Sequence, residues 1–202
     1  MLDYLPIVAA GFGIPQYLPQ ILKLRRTQDP AGVSWAWATL TSLNNGAWFA
    51  YFLLSGYWSA LVPSSAATVL AGVLAIMLPA SRRAAVPIAA WAALLAFAYV
   101  VAGRNGLGIL LTAAFVIQVS PSIWTAYRTR HPTGISRGTW MLVLGELTCW
   151  ATFALYRSDP RLVVLGFTGI TASMLMLARV RRETSDGRGD GLARPQRHQD
   201  PV

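Results

Sequence analysis

Apolar residues fill most of this chain, and short polar stretches divide them into separate segments of roughly 18–22 residues, each long enough to cross a ~30 Å hydrocarbon core as a helix. The segments are Tyr4–Leu24, Val33–Leu54, Ser59–Leu78, Ala85–Ala102, Gly106–Tyr127, Thr139–Tyr156 and Leu162–Val180. The alternation typical of membrane strands is missing, and a membrane segment must close its own backbone hydrogen bonds. The pattern therefore predicts an all-α membrane protein with seven transmembrane helices.

The composition agrees with this prediction, since 54% of residues are hydrophobic and 12% are charged, about half the charged fraction of a soluble domain. Cys149 is the only cysteine, which excludes an intrachain disulfide and a thiolate metal site. The N-terminus has no basic stretch, so we expect the first apolar segment to be a span rather than a cleaved signal. Residues 183–202 are polar and glycine-rich, and they predict a disordered cytoplasmic tail.

The net charge of +9 comes from basic residues that lie in alternate loops, after segments one, three and five, and in the tail. Of the 17 Lys and Arg residues, only Arg104, Arg157 and Arg161 lie in the remaining loops, on the other side of the membrane. The positive-inside rule then places the N-terminus outside and the C-terminus in the cytoplasm of a cell (inner) membrane. Topology accounts for the charge, so the lipid bilayer rather than nucleic acid is the expected partner.

The chain repeats itself at an offset of 102 residues, which places "RTQDPAGVS" on "RTRHPTGIS". The same offset pairs Gln16 with Gln118, Pro19 with Pro121 and Trp48 with Trp150. We therefore predict a first three-helix repeat at 4–78, a linker transmembrane helix at 85–102 and a second three-helix repeat at 106–180. This 3+1+3 layout gives parallel repeats, with a pathway between them along a pseudo-two-fold axis.

The paired prolines have a predicted mechanical role. A proline inside a helix frees a backbone carbonyl and permits a bend. Pro19 and Pro121 are therefore predicted hinges that open and close one end of the pathway. Gln16, Gln20 and Gln118 are predicted to restore hydrogen bonding around them.

The stretches "PQILKLRRTQDPAGVS" and "SPSIWTAYRTRHPTGIS" resemble the PQ-loop motif, and the 3+1+3 layout resembles the SWEET sugar transporters. Each half separately resembles the half-size SemiSWEETs, and the resemblance covers about residues 4–180. It implies facilitated, bidirectional, alternating-access transport of mono- or disaccharides. The second copy departs from the motif because it reads Pro121-Ser122, so Gln118 is predicted to replace the missing glutamine.

The resemblance also implies a sugar site. The family places a tryptophan in the second helix of each repeat, here Trp48 and Trp150, and an indole face can stack on a sugar ring. It places an asparagine in the third helix of each repeat, and here those positions hold Ser64, which can bond a hydroxyl, and Gly166, which cannot. Asn44 and Asn45 are predicted to add polar contacts.

Glu146 is the one acid predicted deep within a span, and it pairs with Asn44 at the offset of 102. A charge there is costly, by about 2.5 kcal/mol or more, and usually faces a cavity or a partner. Three roles remain open: bonding sugar hydroxyls, titrating to couple transport to protons, or bonding a neighbouring helix in its protonated form. As a fourth possibility, Glu146 could be the counter-ion of a cationic solute held between the two tryptophans.

Other classes of function have weaker sequence support. The sequence has no nucleophile–base arrangement, paired carboxylates or phosphate-binding loop, so we expect neither an enzyme nor a bound cofactor or metal. The alternatives to sugar transport are proton-coupled transport of an amino acid or amine through Glu146, and a non-transporting receptor. Because one chain holds both repeats, a homo-oligomer is possible but is not needed to complete the pathway.

Overall fold

The computed structural model describes the backbone of residues 1–27, 34–128 and 137–190, and its regular structure there is all helical. The side chains are described in the same ranges, except at residues 16, 19, 20, 23, 27, 121, 122, 125, 126 and 180–190. The all-α prediction is therefore confirmed for this part of the chain.

Seven α-helices follow one another in these ranges. They are α1 Leu5–Gly13, α2 Leu18–Thr27, α3 Trp35–Ser55, α4 Trp58–Ile76, α5 Arg82–Arg128, α6 Arg137–Arg157 and α7 Pro160–Asp190. Short 3₁₀ turns occupy Leu2–Tyr4 and Ile14–Gln16. The helix boundaries have local causes: the Ser34 hydroxyl accepts a hydrogen bond from the Trp37 N–H at the start of α3, and Pro160 begins α7.

Within the described residues, four helical stretches are long and apolar enough to cross a membrane. They are Trp58–Ile76, Arg82–Ser120, Arg137–Arg157 and Pro160–Arg179. A shorter apolar stretch covers Leu2–Gly13. α3 has the length of α6 but carries several Trp, Asn, Ser and Thr residues, and it is not among the four. These apolar helices are compatible with a membrane protein, while the number of seven spans stays a prediction.

α5 is two antiparallel helices joined at a single residue. A straight helix over the 39 residues of Arg82–Ser120 would be about 58 Å long, nearly twice the hydrocarbon core. Gly103 prevents this because its φ of 57° and ψ of −146° are not helical and suit only glycine. A Cβ at Gly106 would lie 2.9 Å from the Ala102 Cβ and closer still to the Ala98 carbonyl oxygen, so the chain folds straight back on itself.

The first predicted span, Tyr4–Leu24, is interrupted before Pro19, the predicted hinge residue. α1 ends at Gly13, a 3₁₀ turn covers Ile14–Gln16, and α2 begins at Leu18. Pro19 is the second residue of α2, where its missing N–H removes no helical hydrogen bond. By contrast, α5 remains helical through position 121. The break is therefore present in the first half only, at Pro15.

The C-terminal helix extends beyond the predicted end of the seventh span. α7 continues to Asp190, so its backbone is helical over the first part of the segment 183–202 for which the sequence predicts a disordered tail. A helix that leaves the bilayer can continue in water while its residues still hydrogen-bond to the preceding turn. Residues 191–202 lie outside the described part of the chain.

The offset of 102 reappears in the backbone. α6, Arg137–Arg157, has the bounds of α3, Trp35–Ser55, displaced by 102 at both ends, and α7 begins 102 residues after α4. Each of α3 and α6 is followed by a left-handed residue, Gly56 with φ of 71° and Ser158 with φ of 52°. The two turns make corresponding hydrogen bonds, in which the next amide donates to the carbonyl five residues earlier.

Helix packing follows the same pattern. At the offset of 102, α1, α3 and α4 correspond to the second part of α5, α6 and α7. Within the halves, the pairs α3–α4 and α1–α4 match the pairs α6–α7 and α5–α7. Between the halves, the pair α1–α6 matches the pair α3–α5. The main core lies among these helices, and its fully buried side chains include Tyr51, Leu111, Phe153 and Leu162. A smaller core at the end where α3 begins is formed by Leu24, Ala38, Leu74 and Leu78.

Candidate functional site

A cavity of about 350 Å³ lies between the helices of the two halves and is lined by residues of six helices. It runs from the level of Trp37 and Trp140, near the starts of α3 and α6, to the level of Phe52. All six residues predicted to bind substrate line it: Asn44, Asn45, Trp48, Ser64, Glu146 and Trp150. The structure thus brings this set together in one place.

The two tryptophans meet through a third ring. Phe52 stacks on Trp48 at a centroid distance of 5.5 Å and on Trp150 at 5.2 Å, with interplanar angles of 21° and 10°. The three rings therefore form one stack, and Phe52 is 3% exposed within it. Sequence reasoning missed Phe52, whose counterpart at the offset of 102 is Ala154, so the repeat itself gave no signal for it.

Three polar groups of the cavity wall already have protein partners. The Asn44 Oδ1 accepts a hydrogen bond of 2.7 Å from the Trp91 indole N–H, and the Asn45 NH₂ donates one of 2.8 Å to the Thr41 carbonyl oxygen. The Ser64 hydroxyl donates to the Ala60 carbonyl oxygen at 2.8 Å. Its proton is therefore used within α4, and Ser64 can meet a solute only as an acceptor.

Glu146 lies where α6 passes the end of α1. A Cβ on Gly13 would be 2.8 Å from the Glu146 Oε1, so the absence of a side chain at Gly13 leaves room for the carboxyl group. Phe12 packs in the same way against Gly145, at distances that leave no room for a larger residue. The 3₁₀ turn follows directly, and its neighbours Ile14 and Tyr17 line the cavity beside Glu146. The interruption of the first span thus lies at the cavity wall.

Beyond the aromatic stack, polar contacts join the two halves. Asp159 is buried, and its Oδ2 accepts hydrogen bonds from Tyr51 at 2.5 Å and Tyr57 at 3.2 Å. Its Oδ1 caps α7 by accepting from the Arg161 N–H at 3.1 Å, and the Arg161 guanidinium lies 4.0 Å away. That guanidinium also donates to the Asn105 Oδ1 at 2.9 Å. This group, named here the Asp159 cluster, closes the cavity at the end where α3 and α6 finish.

The electrostatics of the Asp159 cluster favour neutral tyrosines. Burial, and then the negative charge of Asp159, raise the pKa of Tyr57 above its ordinary value. Tyr57 therefore stays a hydrogen-bond donor to Asp159 at neutral pH. Nearby, Arg157 pairs with Asp3 at 2.6 Å and lies over the Tyr57 ring, which ties the N-terminal turn to the end of α6.

The predicted hinge residues are only partly covered by the described side chains. Gln118 lines the cavity and is exposed. The side chains of Gln16, Pro19, Gln20 and Pro121 lie outside the described part of the chain. Their role in bending therefore stays a prediction.

Gly166 explains one departure from the resembled family. A Cβ there would lie 2.7 Å from both the Cα and the Cβ of Ala151, so α6 and α7 approach too closely for any side chain. Position 166 therefore serves helix packing, and it does not line the cavity. Ser64, its counterpart in the first half, does.

Trp91 is the second residue of the site that sequence reasoning missed: it packs against the main core and contacts the cavity residue Asn44. A usable signal was present: Trp91 lies roughly 14 and 17 Å from the two ends of the segment 82–102, far from either interface. An indole N–H at that depth needs a partner inside the protein. The linker occurs only once in the predicted repeat pattern, so the repeat could not indicate that Asn44 is this partner.

Comparison of the sequence with protein-family models and with curated proteins finds no match. The resemblance to the PQ-loop and SWEET families therefore stays a prediction, and the arguments below depend on the geometry of this chain. Among the described residues, no group of three or more His, Cys, Asp and Glu side chains could hold a metal ion.

Proposed function

We propose that this protein is a SWEET-like facilitator that moves a mono- or disaccharide across the cell membrane by alternating access. One observation carries the proposal: a single cavity collects aromatic faces and hydrogen-bonding groups from both halves of the chain. Its volume of about 350 Å³ lies at the small end of the roughly 300–1,000 Å³ of small-molecule pockets, which favours a monosaccharide. Stacking rings with polar groups beside them suit a ring that is apolar on its faces and polar at its rim.

The proposed layout is two parallel three-helix repeats joined by the segment 82–102. The displacement of α6 from α3 by 102 residues, the matched turns and the three matched helix pairings support it. The reversal of the chain at Gly103 also supports this layout. Because of the reversal, Arg82 and Arg128 lie at one end of the molecule and Arg104 lies at the other. In this layout the N-terminus is outside, the C-terminus is cytoplasmic and the cavity lies near the pseudo-two-fold axis.

Alternating access is supported by the different closure of the two ends. The aromatic stack and the Asp159 cluster close the proposed outer end, while the cavity extends toward the inner end. In the proposed cycle we assign this arrangement to the inward-facing state. Transport requires the Asp159 cluster to separate as the inner end closes, because Tyr51 belongs to one half and Asp159 to the other.

A second candidate is proton-coupled transport of an amino acid or amine, and the placement of Glu146 favours it. A carboxyl group on the wall of the cavity can accept a proton or pair with a cation, and intramembrane acids commonly do so. The two candidates differ in their response to pH. Facilitated sugar transport is indifferent to a pH gradient, whereas proton coupling is driven by one and is lost in Glu146→Gln.

The deciding experiment is counterflow in proteoliposomes that are preloaded with unlabelled glucose or sucrose and offered labelled sugar, with and without a pH gradient. We expect accumulation that is indifferent to pH and lost in Trp48→Ala. Trp58→Ala is the matched control, because Trp58 is 69% exposed and does not line the cavity. No sugar flux in the unaltered protein would reject the proposal. Labelled amines and amino acids, with Glu146→Gln as control, would then test the second candidate.

A further inference from the structure

Trp91 connects the linker segment 82–102 to the cavity wall. The Trp91 indole N–H donates a hydrogen bond of 2.7 Å to the Asn44 Oδ1. Asn44 lines the cavity, while Trp91 does not and packs against the main core behind it. A residue outside the cavity is therefore bonded to the functional group of a residue inside it.

This contact determines what Asn44 can offer. A primary amide has an acceptor oxygen and an NH₂ with two donors, and its two ends can exchange by rotation about the terminal torsion. The hydrogen bond to Trp91 engages the amide oxygen, so the NH₂ is the end of the Asn44 amide that can meet a solute. We propose that Trp91 is a positioning residue for solute binding, and that it holds Asn44 as a hydrogen-bond donor to the solute.

The equivalent position in the second half has the opposite character. Glu146, displaced by 102 from Asn44, lies against the Gly13 backbone, and its carboxyl group, when ionised, can only accept hydrogen bonds. The cavity then presents a donor at one of two related positions and an acceptor at the other. A polyol whose hydroxyls accept at one end and donate at the other would bind in one orientation rather than two. This inference rests on the proposed transport of a sugar.

The transport test compares Trp91→Phe, which keeps the ring and removes the N–H, with Trp58→Phe, the same change at an exposed site. We expect Trp91→Phe to raise the KM for glucose counterflow about three- to tenfold, the loss of one hydrogen bond, with little change in maximal rate. Trp58→Phe should leave both unchanged. An unchanged KM in Trp91→Phe, with transport intact, would overturn the inference.

A double-variant cycle separates positioning from packing. If Trp91 acts through Asn44, Trp91→Phe should have less than about a twofold further effect on KM in an Asn44→Ala background. Asn44→Asp, which keeps an acceptor for the indole but lacks the NH₂, replaces Asn44→Ala if that variant does not fold. Independent effects of the two changes would show that Trp91 only packs.

A spectroscopic readout does not depend on transport. The indole ¹⁵N–¹H resonance of Trp91, assigned by its loss in Trp91→Phe, should shift in Asn44→Ala, while that of Trp58 should not. Absence of sugar flux in the unaltered protein would reject the proposed function, and this resonance would still test the Trp91–Asn44 hydrogen bond on which the inference depends. An unmoved Trp91 resonance would overturn it whatever the solute.

Discussion

Helices α3 and α6 have the same bounds at the offset of 102, but several of their corresponding side chains differ. α3 and α6 match in length, position and terminal turn, yet Phe52 corresponds to Ala154 and Asn44 corresponds to Glu146. Residues near a pseudo-symmetry axis meet their counterparts from the other half. A difference between the halves therefore produces an asymmetric contact that two identical copies could not make.

The Asp159 cluster illustrates this principle. Tyr57 and Asp159 are equivalent positions at the offset of 102, and they hydrogen-bond to each other at 3.2 Å. Two tyrosines at these positions would lack a charged acceptor, and two aspartates would repel each other. Joining the halves in one chain allows each to carry one member of the pair.

We expect the largest change in the free energy of unfolding at positions 52 and 154, where the corresponding side chains differ most in size. Phe52→Ala removes the middle ring of the aromatic stack and should lower the free energy of unfolding by about 3–5 kcal/mol. Ala154→Phe makes the opposite exchange at a fully buried site and should cost about 1–3 kcal/mol through overpacking. Thermal unfolding in detergent measures both. Similar small losses of stability in the two variants would mean that the protein does not require Phe at position 52 and Ala at position 154.

Gly166 and Ser64 provide the next comparison. Gly166→Ala introduces a methyl group 2.7 Å from the Ala151 Cα, and we expect unfolding to become easier by about 1–3 kcal/mol as α6 and α7 separate. Ser64→Ala removes only a hydroxyl that donates within its own helix and should cost about 0.5 kcal/mol. Unfolding midpoints that fall in the reverse order would contradict the assignment of position 166 to packing.

The matched turns can be made more alike. Ser158 adopts the left-handed conformation that Gly56 adopts without a Cβ, so Ser158→Gly should stabilise the protein by about 0.5–1 kcal/mol. Gly56→Ser should destabilise it by a similar amount. The pair of unfolding midpoints checks this, and a loss of stability in Ser158→Gly would show that the serine side chain has a compensating contact.

Two glycines of α1 separate the effect on Glu146 from the effect on helix stability. A Cβ on Gly11 would meet nothing within 4 Å, whereas one on Gly13 would meet the Glu146 carboxyl group. Gly11→Ala should therefore stabilise the protein by up to about 0.5–1 kcal/mol and leave counterflow unchanged. Gly13→Ala should reduce counterflow by displacing Glu146. Equal transport by the two variants would indicate that the position of Glu146 is not critical.

The smallest expected effect concerns pH. The pKa of Tyr57 is raised in the folded protein by burial and by Asp159, so the folded state holds this proton more tightly than the unfolded state. The stabilisation is complete below the ordinary tyrosine pKa of about 10 and is lost as pH rises through the folded value. Unfolding midpoints between pH 8 and 11 in the unaltered protein and in Tyr57→Phe measure it. The unaltered protein should lose more stability at the alkaline end.

The sequence could predict the helices and the membrane character, because apolar length and loop charge express the local physics directly. It could also identify the six cavity residues. The resemblance to the SWEET transporters implied Trp48, Trp150 and Ser64, the cost of an intramembrane charge marked Glu146, and the offset of 102 paired Glu146 with Asn44, next to Asn45. The sequence could not predict that Phe52 lies between the two tryptophans or that Trp91 hydrogen-bonds to Asn44. Both contacts depend on side-chain rotamers and helix packing, which the repeat does not encode. The break at Pro15 rather than Pro19 depends on which proline falls within the first turn of the following helix.

The reversal at Gly103 has a consequence for biogenesis. With a single residue between them, the segments 82–102 and 104–128 form one hairpin, and in the proposed layout we expect them to enter the bilayer together. Synthesis proceeds from the N-terminus, so α3 and Asn44 are made before Trp91 emerges from the ribosome. The hairpin can thus dock its first arm on the completed first half before α6 and α7 exist, and the linker becomes the template on which the second half assembles.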